Sequence, residues 1–162
     1  DEKMTKKDLQ TWADGATCGA LSEYTVAWVA AGSHHGRELA LKWIDSKKEK
    51  LASAGWSTLS SLVAITDDAE LDLDELKQLL ERVKTTILKQ PDRVRYVMNG
   101  FLIAVGSYVR DLTELAVKTA NAIGPVEVDM HGTACKVPSA VEYIKKVQQR
   151  GTIGKKRKSA KC

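Results

Sequence analysis

The sequence predicts an all-α chain, a right-handed stack of antiparallel helix pairs that forms an α-solenoid. Three observations carry this expectation. Helix-start signals recur along the chain, apolar residues repeat at helical spacing, and one pattern occurs twice, 45 residues apart. Only three prolines interrupt 162 residues, which leaves room for long helices.

The predicted helices span 5–14, 18–31, 35–46, 48–65, 72–89, 92–108, 111–123 and 138–149. Thr5-Lys6-Lys7-Asp8 has the form of a capping box ahead of the first. Helix 35–46 pairs with 48–65, and 72–89 with 92–108. Asp72, Asp74 and Glu75 load the first turn of 72–89 with the negative charge that a helix N-terminus favours. The spacing of Leu73, Leu76, Leu79, Leu80, Val83 and Ile87 gives that helix one apolar face. Asp111-Leu112-Thr113-Glu114 resembles a second capping box, and Ser139-Ala140-Val141-Glu142, just after Pro138, a third. Between the last two helices, GPVEVDMHGTACKVP at 124–138 is a long connection expected to pack against them. VEVD at 126–129 looks strand-like but is too short to build a sheet.

The repeated pattern is KEKLASAGWSTLSSLVA at 48–64 and RVRYVMNGFLIAVGSYV at 93–109. Each has two basic residues, a run of apolar and small residues, a glycine followed by a ring, and more apolar residues. Gly55-Trp56 aligns with Gly100-Phe101, Lys48 with Arg93, and Lys50 with Arg95. Both stretches fall on the second helix of a pair. Antiparallel helix pairs with a period of about 40–47 residues are the signature of HEAT or armadillo repeats, whose second helices line a concave face. The glycine then lets a neighbouring helix approach, while the ring packs in the core or points into the groove. The basic pair sits on one edge of that groove, beside free helix-start N–H groups that suit phosphate. The competing reading is two ordinary buried helices sharing a Gly-aromatic packing device.

Charge is distributed unevenly. The chain carries 25 Lys and Arg against 21 Asp and Glu, a net +4. Six basic residues and no acid fall in 150–162, so the rest carries −2. The expected organisation is a helical repeat domain over 1–149 and a basic, flexible tail over 150–162. An anionic partner must therefore meet a local stripe, the tail, or both. Lys155, Lys156, Arg157 and Lys158 in the tail read as an arm on DNA phosphates, as a nuclear import signal, or as a solvated terminus. Cys18, Cys135 and Cys162 are odd in number and widely spaced, as expected of reduced thiols inside a cell. His131 and Cys135 fit no common zinc spacing, so no metal and no cofactor are expected. No apolar run approaches the ~18 residues of a membrane span. The polar N-terminus lacks an initiator Met, which suggests a fragment or processed chain with an N-terminal part missing.

The stretch RVRYVMNGFLIAVGSYV resembles the motif helix of DNA alkylation repair proteins of the alkylpurine DNA glycosylase type, built from HEAT-like repeats. LSEYTVAWVA at 21–30, SAGWSTLSSLVA at 53–64, VDMHGTACKVPSAVEYIKKV at 128–147 and GTIGKKRK at 151–158 extend the resemblance over most of the chain. It implies a solenoid that cradles duplex DNA carrying alkylated bases, and hydrolysis of the N-glycosidic bond of cationic N3- or N7-alkylated purines. In such chemistry a carboxylate stabilises the developing oxocarbenium ion, and aromatic faces hold the cation. The family uses one aspartate and two tryptophans. Here Glu23 stands for the aspartate and Phe101 for the C-terminal tryptophan, as an aromatic wall. Gly19 or Ala20 lies where the first tryptophan would be, so that ring is absent, and Trp12, Trp28 and Trp56 do not replace it by register. Lys48, Lys50, Arg93, Arg95 and Asn99, with the four basic tail residues, form the implied DNA-binding set. Glu23 also reads as an ordinary acid near a helix start, Phe101 as a core residue, and Trp28, Trp43 and Trp56 as packing residues.

Three functions follow as expectations: an alkylpurine DNA glycosylase, a HEAT-like DNA-binding module without efficient excision, and a protein-interaction scaffold. The first two imply a monomer on DNA, located in the cytoplasm with the nucleoid, or in the nucleus of a eukaryote.

Overall fold

A computed structural model describes residues 2–130 and 136–161. His131, Cys135 and Cys162, weighed above as thiols or ligands, lie outside the described residues. Among the described residues eight α-helices form in chain order: α1 Lys6–Gly15, α2 Ala27–Ala31, α3 Gly36–Trp43, α4 Glu49–Ile65, α5 Leu73–Thr86, α6 Asp92–Tyr108, α7 Thr113–Ile123 and α8 Ala140–Gln149. A π-helical turn, Leu21–Val26, runs directly into α2, so one helical rod spans 19–31. Among the described residues there is no strand, and 126–129 joins no sheet. None of the described helices is long and apolar enough to cross a membrane.

Side-chain caps mark the starts of α1, α5 and α8. Thr5 accepts a hydrogen bond from the Asp8 N–H, and Asp8 returns one from the Thr5 N–H at 3.0 Å, a complete capping box. Asp72 caps α5 through the N–H groups of Asp74 and Glu75. Ser139 accepts from the Glu142 N–H at 3.3 Å. The box expected at Asp111–Glu114 does not form. Arg110–Leu112 instead makes a 3₁₀ turn, and α7 begins at Thr113 without a side-chain cap. The local sequence offers a cap, but Val109 and Leu112 are buried and pull the chain into the core first.

The helices stack as an all-α HEAT-like solenoid. Successive second helices of the pairs lie side by side, α2 on α4, α4 on α6 and α6 on α8, with α4 and α6 packed most extensively. One apolar cluster runs through α3–α8, and a smaller one centred on Leu9, Val26, Leu39 and Trp43 joins α1 and α2 to α3 and α4.

The two glycines of the repeated pattern do different work. A Cβ on Gly55 would lie 2.8 Å from the Ile44 nitrogen and 2.9 Å from the Ala40 oxygen, so this glycine admits α3 against α4. A Cβ on Gly100 would meet nothing within 4 Å, because Gly100 faces the groove. The rings that follow both turn inward and meet each other, Trp56 and Phe101 with centroids 5.2 Å apart.

The segment after α8, expected as a flexible basic tail, runs back across the inner helices. Gly151 and Gly154 have φ of +67° and +77°, which lets the chain turn there. The Gly154 N–H donates to the Ser107 carbonyl at 2.9 Å and the Arg157 N–H to the Ala64 carbonyl at 2.7 Å. Lys156 donates to the Val63 carbonyl at 2.9 Å and pairs with Asp68 at 2.7 Å.

These packing differences predict opposite outcomes for one substitution. Gly55→Ala forces backbone apart and is expected to cost ~1–3 kcal/mol. Gly100→Ala removes a flexible residue from a helix with open space around it, and is expected to stabilise by up to ~1 kcal/mol. Urea unfolding of the two variants measures both signs.

Candidate nucleic-acid interface

The inner helices α2, α4 and α6, with the returning C-terminal segment, enclose two adjoining clefts. The smaller, about 210 Å³, is lined by Glu23, Tyr24, Trp28, Tyr96 and Arg157, with serines of α4 and Gly100. The larger, about 480 Å³, contains Arg150, Lys155, Lys156 and Arg157 and no acid among its lining residues. Ser60, Ser61, Gly100 and Arg157 border both clefts, so they form one groove.

Glu23 is buried on the π-helical turn. Both its oxygens accept hydrogen bonds from Arg93: Nε donates to Oε1 at 2.9 Å, and Nη2 donates to Oε2. The Arg93 backbone N–H donates to Glu49 Oε1 at 3.1 Å, and its guanidinium lies 4.8 Å from the Tyr96 ring centroid. Hydrogen bonding to Glu23 raises the Arg93 pKa against the opposing effect of burial. Arg93 therefore stays charged through neutral pH, and the stability that comes from its raised pKa is lost as pH rises through the raised arginine value.

Room for this pair comes from Gly19. A Cβ there would sit 3.2 Å from Glu23 Oε1 and 3.7 Å from Arg93 Nε. A tryptophan at this position, as the resemblance requires one turn before the carboxylate, would overlap the space that Arg93 fills. The missing ring and the bound arginine are two sides of one arrangement.

Other expected site residues divide clearly. Phe101 is fully buried against Trp56 and cannot wall the groove, because the face of α6 that carries it is the core face. Asn99 is buried and donates to the Pro138 carbonyl at 2.9 Å, on the side of the 124–138 connection. Arg95 also turns that way, donating to the Glu127 carbonyl at 2.7 Å and the Gln90 carbonyl at 3.0 Å. Lys48 pairs with Asp14 at 3.4 Å, and Lys50 donates to the Thr17 carbonyl at 2.6 Å, both beside α1. Lys156 is largely committed to Asp68 and Val63. Lys155 and Lys158 are exposed. Arg157 lines both clefts while donating to the Lys161 carbonyl at 3.0 Å. Among the described residues no group of three or more His, Cys, Asp or Glu is placed to hold a metal.

Aromatic residues in the smaller cleft come instead from Tyr24, Trp28 and Tyr96. Tyr24 and Trp28 stand 5.4 Å apart, tilted by 56°, and Tyr24 is 46% exposed. Their i, i+4 spacing on the Glu23 helix, and Tyr96 three residues after Arg93, are the sequence signals that mark them.

No family model matches the chain. Uncharacterised proteins of Listeria innocua and Listeria monocytogenes are each 34% identical over 150 residues, covering 91% of this chain. The chain spans 63% of the length of these curated relatives. A solved structure superposes with a TM-score of 0.92 at 36% identity, over 99% of this chain and 68% of its own. It is described as a new family of proteins related to the HEAT-like repeat DNA glycosylases, with affinity for branched DNA structures.

Arg93→Ala would leave Glu23 buried without its partner, and is expected to cost ~3–5 kcal/mol near neutral pH. Denaturant unfolding at neutral pH measures this, and Arg93→Ala with Glu23→Gln should recover part of the loss by removing the unpaired charge.

Proposed function

The chain belongs to the family of proteins related to the HEAT-like repeat DNA glycosylases, and from that premise we propose that it binds DNA in its groove without excising bases. The observation that carries this reading is the Glu23–Arg93 pair. Both carboxylate oxygens are committed, so the groove offers no free anion to a developing oxocarbenium ion. What the groove does offer is Arg150, Lys155 and Arg157 around an acid-free cleft, a surface suited to strand phosphates. Branched DNA is the ligand class, on the strength of the affinity ascribed to the solved relative. The corresponding location is with the chromosome, in the nucleoid of a bacterial cytoplasm.

Excision of cationic alkylated purines is the second reading. It is favoured by the convergence of a carboxylate and three aromatic side chains on one cleft. It requires Arg93 to leave Glu23 for a DNA phosphate, which would free the carboxylate.

Two measurements separate the readings. Binding to a four-way DNA junction and to a linear duplex, followed by fluorescence anisotropy across a salt series, should show tighter, salt-sensitive junction binding. Lys155→Gln and Arg157→Gln should each lower the log–log salt slope by about one; salt-independent or absent binding would contradict the proposal. Single-turnover base release from duplex DNA carrying N7-methylguanine should proceed at the spontaneous rate with the native protein and with Glu23→Gln alike. Faster release that disappears in Glu23→Gln, at unchanged DNA affinity, would move the assignment to a glycosylase.

A further inference from the structure

We infer that the smaller cleft takes one unpaired nucleotide of the bound DNA, with its base on the Tyr24–Trp28 ring pair and its phosphate on Arg157. The inference rests on the DNA-binding reading and adds what the groove recognises. Three features of the cleft point to this occupant. Tyr24 is 46% exposed although it is a large ring beside a second one. Tyr24 and Trp28 are in tilted contact, with centroids 5.4 Å apart, so together they form one aromatic platform and a base stacks on its exposed face, not between the rings. Arg157 borders this cleft and the larger basic one, so a strand tracking the basic cleft reaches the platform with its backbone still in contact with positive charge.

Size and chemistry restrict the occupant further. About 210 Å³ has room for a single base. Ser57, Ser60 and Ser61 line the cleft; the Ser60 hydroxyl donates to the Trp56 carbonyl at 2.9 Å and is left to accept, while Ser57 and Ser61 can turn as donor or acceptor to meet any of the four base edges. Ring faces likewise accept every base, because each has a π-face. The cleft therefore reads whether a base is unpaired, not which base it is. An intact duplex keeps its bases stacked inside and presents none to the ring platform. A strand junction, gap or bulge does. Nothing in this step makes or breaks a covalent bond.

The test compares two DNAs that differ by one base. The full chain is titrated, at fixed salt, with a branched duplex carrying one unpaired thymine and with the same DNA carrying a tetrahydrofuran abasic site there. Loss of the base is expected to weaken binding about tenfold, the scale of one base stacked on an aromatic face. Tyr24→Leu and Trp28→Leu should each abolish most of that difference while leaving the salt slope unchanged. Tyr24→Leu alone suffices if the Trp28 variant does not fold, since Tyr24 is the more exposed ring. Equal affinity for the two DNAs, with salt-sensitive binding intact, would overturn this inference and leave the DNA-binding reading standing. Absence of DNA binding altogether would overturn both.

Discussion

The buried ion pair between Glu23 and Arg93 is the constraint on which the groove depends. It ties the helical rod 19–31 to α6 across 70 residues of sequence. A carboxylate held away from water is tolerable only when its charge and lone pairs are met, and Arg93 meets them with two donors in a planar fork. Three features surround this pairing. Gly19 leaves little room for a side chain beside Glu23 Oε1, Arg93 lies against Tyr96, and Glu49 accepts from the Arg93 N–H at the start of α6. The same pairing commits both oxygens of the one acid that lines the smaller cleft. The rest of the charged and aromatic lining is basic or tyrosine and tryptophan, the surface proposed above to hold a strand.

The repeated pattern has a structural explanation that differs from its simplest functional one. Trp56 and Phe101 occupy equivalent places on α4 and α6, and those helices pack side by side, so the two rings meet in the core. The glycines diverge because their neighbours do. Gly55 lies under α3, whereas Gly100 opens onto the groove. The basic residues at the two helix starts also diverge. Arg93 finds a buried acid, while Lys48 finds the exposed Asp14. Repeats share a backbone frame and not the use made of each position.

Much of the fold was legible in the sequence because its signals are local. Thr5, Asp72 and Ser139 cap helices within three residues of themselves, and the leucines of α5 mark one face by spacing alone. The site was less legible because its determinants are not local. Glu23 and Arg93 were each identified, but not as partners. The π-helical turn at Leu21–Val26 inserts a residue and rotates the preceding side chains by about 100° relative to a regular helix. Trp28, read as a packing residue, lines the smaller cleft. Phe101 was open between core and groove, and the Trp56 ring beside it decides for the core. The path of residues 150–161 rests on backbone bonds such as Arg157 to Ala64 and Gly154 to Ser107, which no composition or spacing reveals.

The account is tested most directly by the nitrogen–proton correlation spectrum of this 17.8 kDa chain during titration with a four-way DNA junction. The predicted result is movement of the Trp28 indole and the Gly100 amide, while the Trp43 indole, hydrogen-bonded to Gln10 Oε1 at 2.9 Å, and the Trp12 indole on α1 keep their positions. The paired Arg93 Nε–H signal should persist at saturation. Shifts concentrated on α1, α3 and α5 with none in the groove would contradict the assigned interface. Loss of the Arg93 signature on binding would contradict the claim that its carboxylate partner stays committed.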